Sequence, residues 1–216
     1  MKRIAALLAT ALVLTGCSGD QSDGLEPSDK AEATVAAPAR AEYSLLTKGQ
    51  LKAAVLKVSD MPTGYGEDPE SDASDKNTKT YCDYKRPFEP SADALQSFLK
   101  GSGLSSEFVQ ISLRQYGDSN EGAASFKALV DTMDTCKKDS IDGDPVKFSI
   151  LSTPDLEDGS IGISTSSDDV SVPQFFVLAG PTLISVGGGG LLGSDVDALL
   201  ELLKKQIGSY KDAAKK

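Results

Sequence analysis

Val172-Pro173-Gln174-Phe175-Phe176-Val177-Leu178-Ala179-Gly180-Pro181-Thr182-Leu183-Ile184-Ser185-Val186 reads as two densely apolar strands joined at a tight turn. Aromatic and branched side chains favour extended backbone, and Ala179-Gly180-Pro181 interrupts it. So short a connection permits only antiparallel pairing, because a parallel crossover needs a dozen or more residues. The spacing predicts a central hairpin. Upstream, 160–165 and 146–151 are two further strands, the second alternating Val146, Phe148 and Ile150. Residues 106–116 alternate in the same way, with Val109, Ile111 and Leu113 pointing one way and Gln110, Ser112 and Arg114 the other.

Helical periods flank these strands. Thr47 is placed to cap a helix over 48–59, with Leu51, Val55 and Val58 near one face. Pro62 stops it within Asp60-Met61-Pro62-Thr63-Gly64-Tyr65. Residues 66–79 are polar and turn-rich and read as a loop. Residues 91–100 carry Leu95, Phe98 and Leu99 at helical spacing before Gly101, which predicts a short helix. Asp118-Ser119-Asn120-Glu121 is a capping box opening a helix to about Lys138, with Phe126, Leu129, Val130, Met133 and Cys136 on one buried stripe. A last helix runs from Ser194 to about Lys211, with Val196, Leu199, Leu200, Leu203, Ile207 and Tyr210 as its apolar face. The predicted fold class is α+β: an antiparallel sheet of about five strands covered by amphipathic helices, one domain over 43–216.

The front of the chain sets the compartment. Met1-Lys2-Arg3 precedes the apolar run 4–13, which is too short to span a bilayer of about 20 apolar residues. This is the cationic and apolar pattern of a secretory signal. Leu14-Thr15-Gly16-Cys17 follows it and resembles the lipobox of bacterial lipoproteins. That resemblance implies removal of 1–16 as a signal peptide and a diacylglyceryl group on Cys17, which would anchor the chain to the extracytoplasmic face of the cell membrane. Two acyl chains suffice for stable anchoring. Residues 17–42, rich in Ser, Gly, Asp, Glu, Ala and Pro, read as a disordered tether with a reach of roughly 25–30 Å.

Composition excludes several functions. The 22 Lys+Arg against 32 Asp+Glu give a net charge of −10, more negative once Lys2 and Arg3 leave with the signal. Such a surface repels nucleic acid and anionic headgroups. There is no histidine, hence no Ser-His-Asp triad and none of the commonest metal ligand. With Cys17 consumed by lipid, Cys82 and Cys136 remain, and an oxidising compartment allows them one pairing. Their disulfide would pin Tyr81-Cys82-Asp83-Tyr84 onto the helix that carries Cys136.

Other motifs weigh less. Gly188-Gly189-Gly190-Leu191-Leu192-Gly193 matches a dinucleotide fingerprint, but no second parallel strand follows and Asp195 and Asp197 would repel a pyrophosphate. It reads as a flexible strand-to-helix connection. Acidic groups at Asp72 and Asp75, Asp142 and Asp144, Asp155, Glu157 and Asp158, and Asp168 and Asp169 lack calcium-loop spacing and read as solvated loops. Ser97-Phe98-Leu99-Lys100 has the Ser-x-x-Lys form without its companion motifs.

Leu51-Lys52-Ala53-Ala54-Val55-Leu56-Lys57-Val58-Ser59-Asp60-Met61-Pro62-Thr63-Gly64-Tyr65 resembles the opening of small actinobacterial lipoproteins. These are similar to the extracellular sensor domain of PknH-type receptor serine/threonine kinases. The resemblance implies an antiparallel sheet with helices on its faces and a ligand-sized cleft. That kinase domain carries two disulfides, whereas one pair is available here.

Together these readings predict a non-catalytic ligand-binding or sensing lipoprotein, with no cofactor, no metal and no nucleic acid. A small molecule or lipid, or a partner protein, would sit between sheet and helices, bordered by 175–186 and 66–79. The individual ligand-binding residues are not specified. The alternatives are an envelope accessory protein that docks a partner and, more distantly, a hydrolase using Ser97 and a lysine.

Overall fold

A computed structural model describes residues 43–68, 81–141, 143–167, 170–190 and 195–215. The expected signal peptide, Cys17 and the expected tether, residues 1–42, lie outside the described residues. Eight antiparallel strands form one sheet, in the order β1-β2-β3-β8-β7-β6-β5-β4. They are β1 (Tyr65–Glu67), β2 (Ala92–Lys100), β3 (Glu107–Gln115), β4 (Lys138–Ile141), β5 (Asp144–Leu151), β6 (Gly159–Ser167), β7 (Val170–Ala179) and β8 (Thr182–Gly190). Among the described residues three α-helices join them: α1 (Lys48–Ala54), α2 (Ser119–Thr135) and α3 (Val196–Ala214). The α+β class is as expected, but the sheet has eight strands rather than about five.

The hairpin of β7 and β8 lies at the centre, paired from Gln174↔Gly187 to Ala179↔Thr182. Gly180 supplies the positive φ of 56° that opens its two-residue turn, and the ring of Tyr43 packs where a Cβ would stand. The short edge strands β1 and β4 leave little unpaired backbone at either side.

Alternation along the strands makes two cores. Val109, Ile111, Leu113, Phe175, Val177, Ile184 and Val186 face α1 and α3. Tyr116, Ile161, Ile163, Phe148, Phe176 and Leu183 face α2. Helix α3 buries Leu199, Leu202, Leu203, Gln206, Ile207 and Tyr210 against the first face. Leu129, Met133 and Cys136 of the predicted α2 stripe are buried against the second, with Phe126 and Val130 partly so.

Three helices differ in extent from the sequence reading. Residues 91–100 form strand β2, not a helix. Nine residue pairs bind it to β3, from Ala92↔Gln115 to Lys100↔Glu107. Ala94 and Phe98, four apart, share a face in either geometry, so the apolar spacing does not separate the two. Helix α1 stops at Ala54 because α3 takes over its end. The Gln206 Nε2 and Ser209 Oγ donate to the Ala54 carbonyl at 2.9 and 2.8 Å, and the Leu56 amide donates to Gln206 Oε1 at 2.9 Å. Residues Val58–Asp60 then form a separate 3-10 turn, and Val58 is exposed. Helix α2 ends at Thr135, and Lys138 opens β4 instead.

The helix starts follow their caps. Thr47 Oγ1 accepts from the Gln50 amide at 3.3 Å, while Gln50 Oε1 accepts from the Thr47 amide at 3.0 Å. Asp118 Oδ1 accepts from the Asn120 and Glu121 amides at 2.7 and 2.9 Å, and Glu121 Oε2 accepts from Gly117 rather than from the cap itself. Asp195 Oδ1 caps α3 through the Ala198 amide at 3.0 Å. Ser194, the expected cap, lies outside the described residues.

Candidate binding cleft

The four-glycine run ends strand β8 rather than forming a connection. Gly187 to Gly190 pair with β3 from Gln110↔Gly187 to Glu107↔Gly190. A Cβ on Gly188 would stand 2.5 Å from the Phe108 carbonyl oxygen and 3.2 Å from a Leu199 methyl. Glycine here lets both β3 and α3 come close. It also leaves the floor bare at this end of the sheet. The result is a cleft of about 250 Å3 between the sheet and the start of α3. Pro62, Val109, Ala198, Leu199 and Leu202 supply apolar walls, Gly188, Gly189 and the backbone of Phe108 the floor, and Tyr65, Lys100, Glu107 and Asp195 the polar rim.

Register builds that rim. Tyr65 and Lys100 are opposite each other across β1 and β2, and Lys100 is opposite Glu107 across β2 and β3. Opposite residues share a face. The Lys100 ammonium and the Tyr65 hydroxyl both donate to Glu107 Oε2, at 3.2 Å each, and Lys100 Nζ stands 5.6 Å from the centre of the Tyr65 ring. Burial, and then the Glu107 carboxylate, push the Tyr65 phenol up to about 12, so it stays a protonated donor near neutral pH. An apolar floor with a few oriented polar groups at one end suits binding of a small, mainly apolar molecule. A shallower depression continues along α3 past Met61, Glu201 and Lys204. Lys205 also lines it, and its Nζ donates to the Asp60 carbonyl at 2.7 Å.

The expected borders of a site do not meet at this cleft. Phe175, Val177, Ile184 and Val186 are fully buried core beneath α1 and α3 and do not line the cleft. Of the predicted loop 66–79, Gly66 and Glu67 belong to β1, and the part from 69 onward lies outside the described residues. Ser97 and Lys100 lie three apart on a strand, so their side chains leave opposite faces of the sheet. Gln110 Nε2 approaches Ser97 Oγ at 3.5 Å while Lys100 pairs with Glu107, so they form no serine–lysine dyad.

The acidic groups have mixed fates. Glu157 accepts from the Tyr43 hydroxyl at 2.7 Å and from Lys211 Nζ at 3.0 Å, and Asp158 accepts from the Gly180 amide at 2.7 Å. These two hold the fold together rather than a solvated loop. Asp72, Asp75, Asp142, Asp168 and Asp169 lie outside the described residues. Among the described residues no three His, Cys, Asp or Glu side chains gather as metal ligands.

The opposite face holds the disulfide. Cys82 and Cys136 are joined with their Cα atoms 5.9 Å apart, across 54 residues of chain. Cys82 and Asp83 both have positive φ, of 42° and 56°, and this kink presents Tyr81 and Tyr84 to the sheet and α2. The Tyr81 ring meets Phe148 edge-on at 5.3 Å, and its hydroxyl donates to Gln174 Oε1 at 2.6 Å. The Tyr84 hydroxyl donates to the Ser125 carbonyl at 3.0 Å.

No protein-family model matches this sequence, and no curated protein matches it. Among solved structures, the fold is similar to the extracellular domain of PknH from Mycobacterium tuberculosis. That likeness has a TM-score of 0.52 at 8% identity and covers 79% of this chain and 100% of that one. It concerns the fold alone: an antiparallel sheet carrying helices.

Proposed function

We propose that this chain is a non-catalytic binding or sensing module, held at the outer face of the cytoplasmic membrane by a lipid on Cys17. The observation that carries the reading is the cleft over Gly188 and Gly189, where an apolar floor meets the Tyr65–Glu107–Lys100 rim. The likeness in fold to the extracellular domain of PknH supports it, as does the Cys82–Cys136 disulfide, since such bonds persist outside the reducing cytoplasm. Among the described residues no helix is long and apolar enough to cross a membrane, and Leu14-Thr15-Gly16-Cys17 would supply the anchor. The cleft is smaller than the usual ligand pocket, which favours a compact molecule with one polar end near Lys100.

Native mass spectrometry of the exported full chain tests this. The expected result is a co-purifying small molecule, lost in Ala198→Trp, whose indole would fill the cleft from α3. Retention by that variant, or an apo mass in every growth condition, would overturn the cleft as the binding site.

A second reading, docking of a partner protein, rests on one observation. Leu99 and Phe108 are cross-strand neighbours and both remain exposed, at 41% and 39%. Crosslinking in the envelope that depends on these two side chains, with an empty cleft, would favour it over ligand binding.

A further inference from the structure

Among the described residues three charged side chains line the cleft: Lys100, Glu107 and Asp195. Register and packing bring them to one end of the sheet. Glu107 lies opposite Lys100 on β2 and opposite Gly190 on β8, where a Cβ on Gly190 would stand 3.4 Å from the Glu107 Cγ. A Leu199 methyl, 3.2 Å from the Cβ position of Gly188, brings the first turn of α3 onto the same end of β8. Asp195 caps that turn.

Their charges do not cancel. The Lys100 ammonium is matched by Glu107, at 3.2 Å from Oε2, and stands 5.6 Å from the centre of the Tyr65 ring. That pair is neutral, and Asp195 adds a negative charge. The start of α3 offers a partial positive charge of roughly half a unit against it, but Asp197 in the same turn adds a further negative one. An anion would therefore meet two aspartates at the helix start. Open acceptors point the same way. Glu107 Oε2 takes protons from both Lys100 and Tyr65, and Asp195 Oδ1 takes the Ala198 amide. Glu107 Oε1 and Asp195 Oδ2 accept no hydrogen bond among the described residues. Two carboxylate oxygens thus stand open at the rim of a cavity whose walls, Val109, Leu199 and Leu202, are apolar.

We propose that the cleft takes a protonated primary amine with a compact apolar body, a reading that rests on the cleft being the binding site. The ammonium donates to Glu107 Oε1 and Asp195 Oδ2, and the body lies between Val109 and the side chains of Leu199 and Leu202. Hydrogen bonds between an ammonium and a carboxylate are the strong, charge-assisted kind. A quaternary ammonium has no N–H to donate, and the Tyr65 ring that could receive it already faces Lys100. The net charge of −10 also draws cations toward the protein.

Amide-spectrum titrations of the full chain test this with three probes that share one branched body: isopentylamine, isopentanol and 3-methylbutanoate. The expected result is that isopentylamine shifts Tyr65, Val109, Gly188 and Leu202 and binds roughly tenfold more tightly than isopentanol, the gain from one charge-assisted contact. The carboxylate should leave these amides unshifted. Asp195→Asn keeps a capping side chain for α3. It should remove the advantage of the amine while isopentanol binds as before, whereas a damaged fold would weaken both. Equal affinity for amine and alcohol, tightest binding of the carboxylate, or an advantage untouched in Asp195→Asn would leave the cleft a binding site and overturn its preference for a cation. Cleft amides silent to all three probes would overturn the preference and the cleft together.

Discussion

The two faces of the sheet are built by different means. The α1/α3 face is closed by apolar burial and by two glutamines. Gln206 seals the end of α1, and Gln115 exchanges two hydrogen bonds with the backbone of Leu46, both at 2.8 Å. Nothing covalent is needed, because α3 alone brings a long apolar stripe onto the strands. The α2 face has a smaller apolar core, and its strap, Tyr81–Asp83, is a single 3-10 turn. So short an element buries little area, and the bond to Cys136 holds it in place. The face that closes itself leaves a bare end at Gly188, where the cleft forms. The face closed by a crosslink carries its polar groups inside, Arg114 and Tyr116 among them.

Removing the crosslink should have the largest effect. Cys82→Ser with Cys136→Ser is expected to cost about 4 kcal/mol in the chain-entropy account of a loop this long. Hydrogen exchange should quicken in α2 and around Tyr84 well before α3. Equal quickening on both faces would break the comparison. On the other face, Leu203→Ala, at a fully buried position, should cost about 3 kcal/mol in chemical denaturation and leave the disulfide intact by mass. Gln206→Leu should cost about 2 kcal/mol, because the buried Leu56 amide loses its acceptor. Its exchange should rise selectively over 54–61.

The smallest effect concerns pH. Burial tends to raise the Glu157 carboxyl, but hydrogen bonds from Tyr43 and Lys211 outweigh it and hold the folded pKa below the usual value. Its contribution is therefore fully present above the unfolded pKa, about 4.3, and is lost as pH falls through the lower folded value. Melts from pH 6 down to 3 should show Glu157→Gln less stable by under about 1 kcal/mol at the upper end, converging with wild type at the lower. A constant gap would show that charge is not involved.

What could be read in advance follows from element length and from register. Strands β3, β5, β7 and β8 carry enough alternation or dense apolar sequence to declare themselves, and α2 and α3 carry long stripes with acidic caps. Strands β1 and β4, of three and four residues, hold too few alternations to be seen. Strand β2 holds Ala92, Ala94, Leu95, Gln96, Leu99 and Lys100, good helix formers, and pairing with β3 decides its conformation. That misreading and the unseen β1 together hid the cleft rim, since Tyr65, Lys100 and Glu107 meet only once β1, β2 and β3 lie in register. The disulfide needed no register, only a count of available thiols. Arg114 appeared in the sequence as one polar position of an alternating strand, and nothing local told that its face would be covered.

The most direct measurement is a nitrogen-15 amide spectrum of the exported chain, recorded with the co-purifying molecule bound and after its removal. The account predicts shifts clustered at Tyr65, Phe108, Val109, Gly188, Gly189 and Leu202, and none in Ala198→Trp. Shifts confined to the α2 face, or a spectrum unchanged by removal, would contradict it.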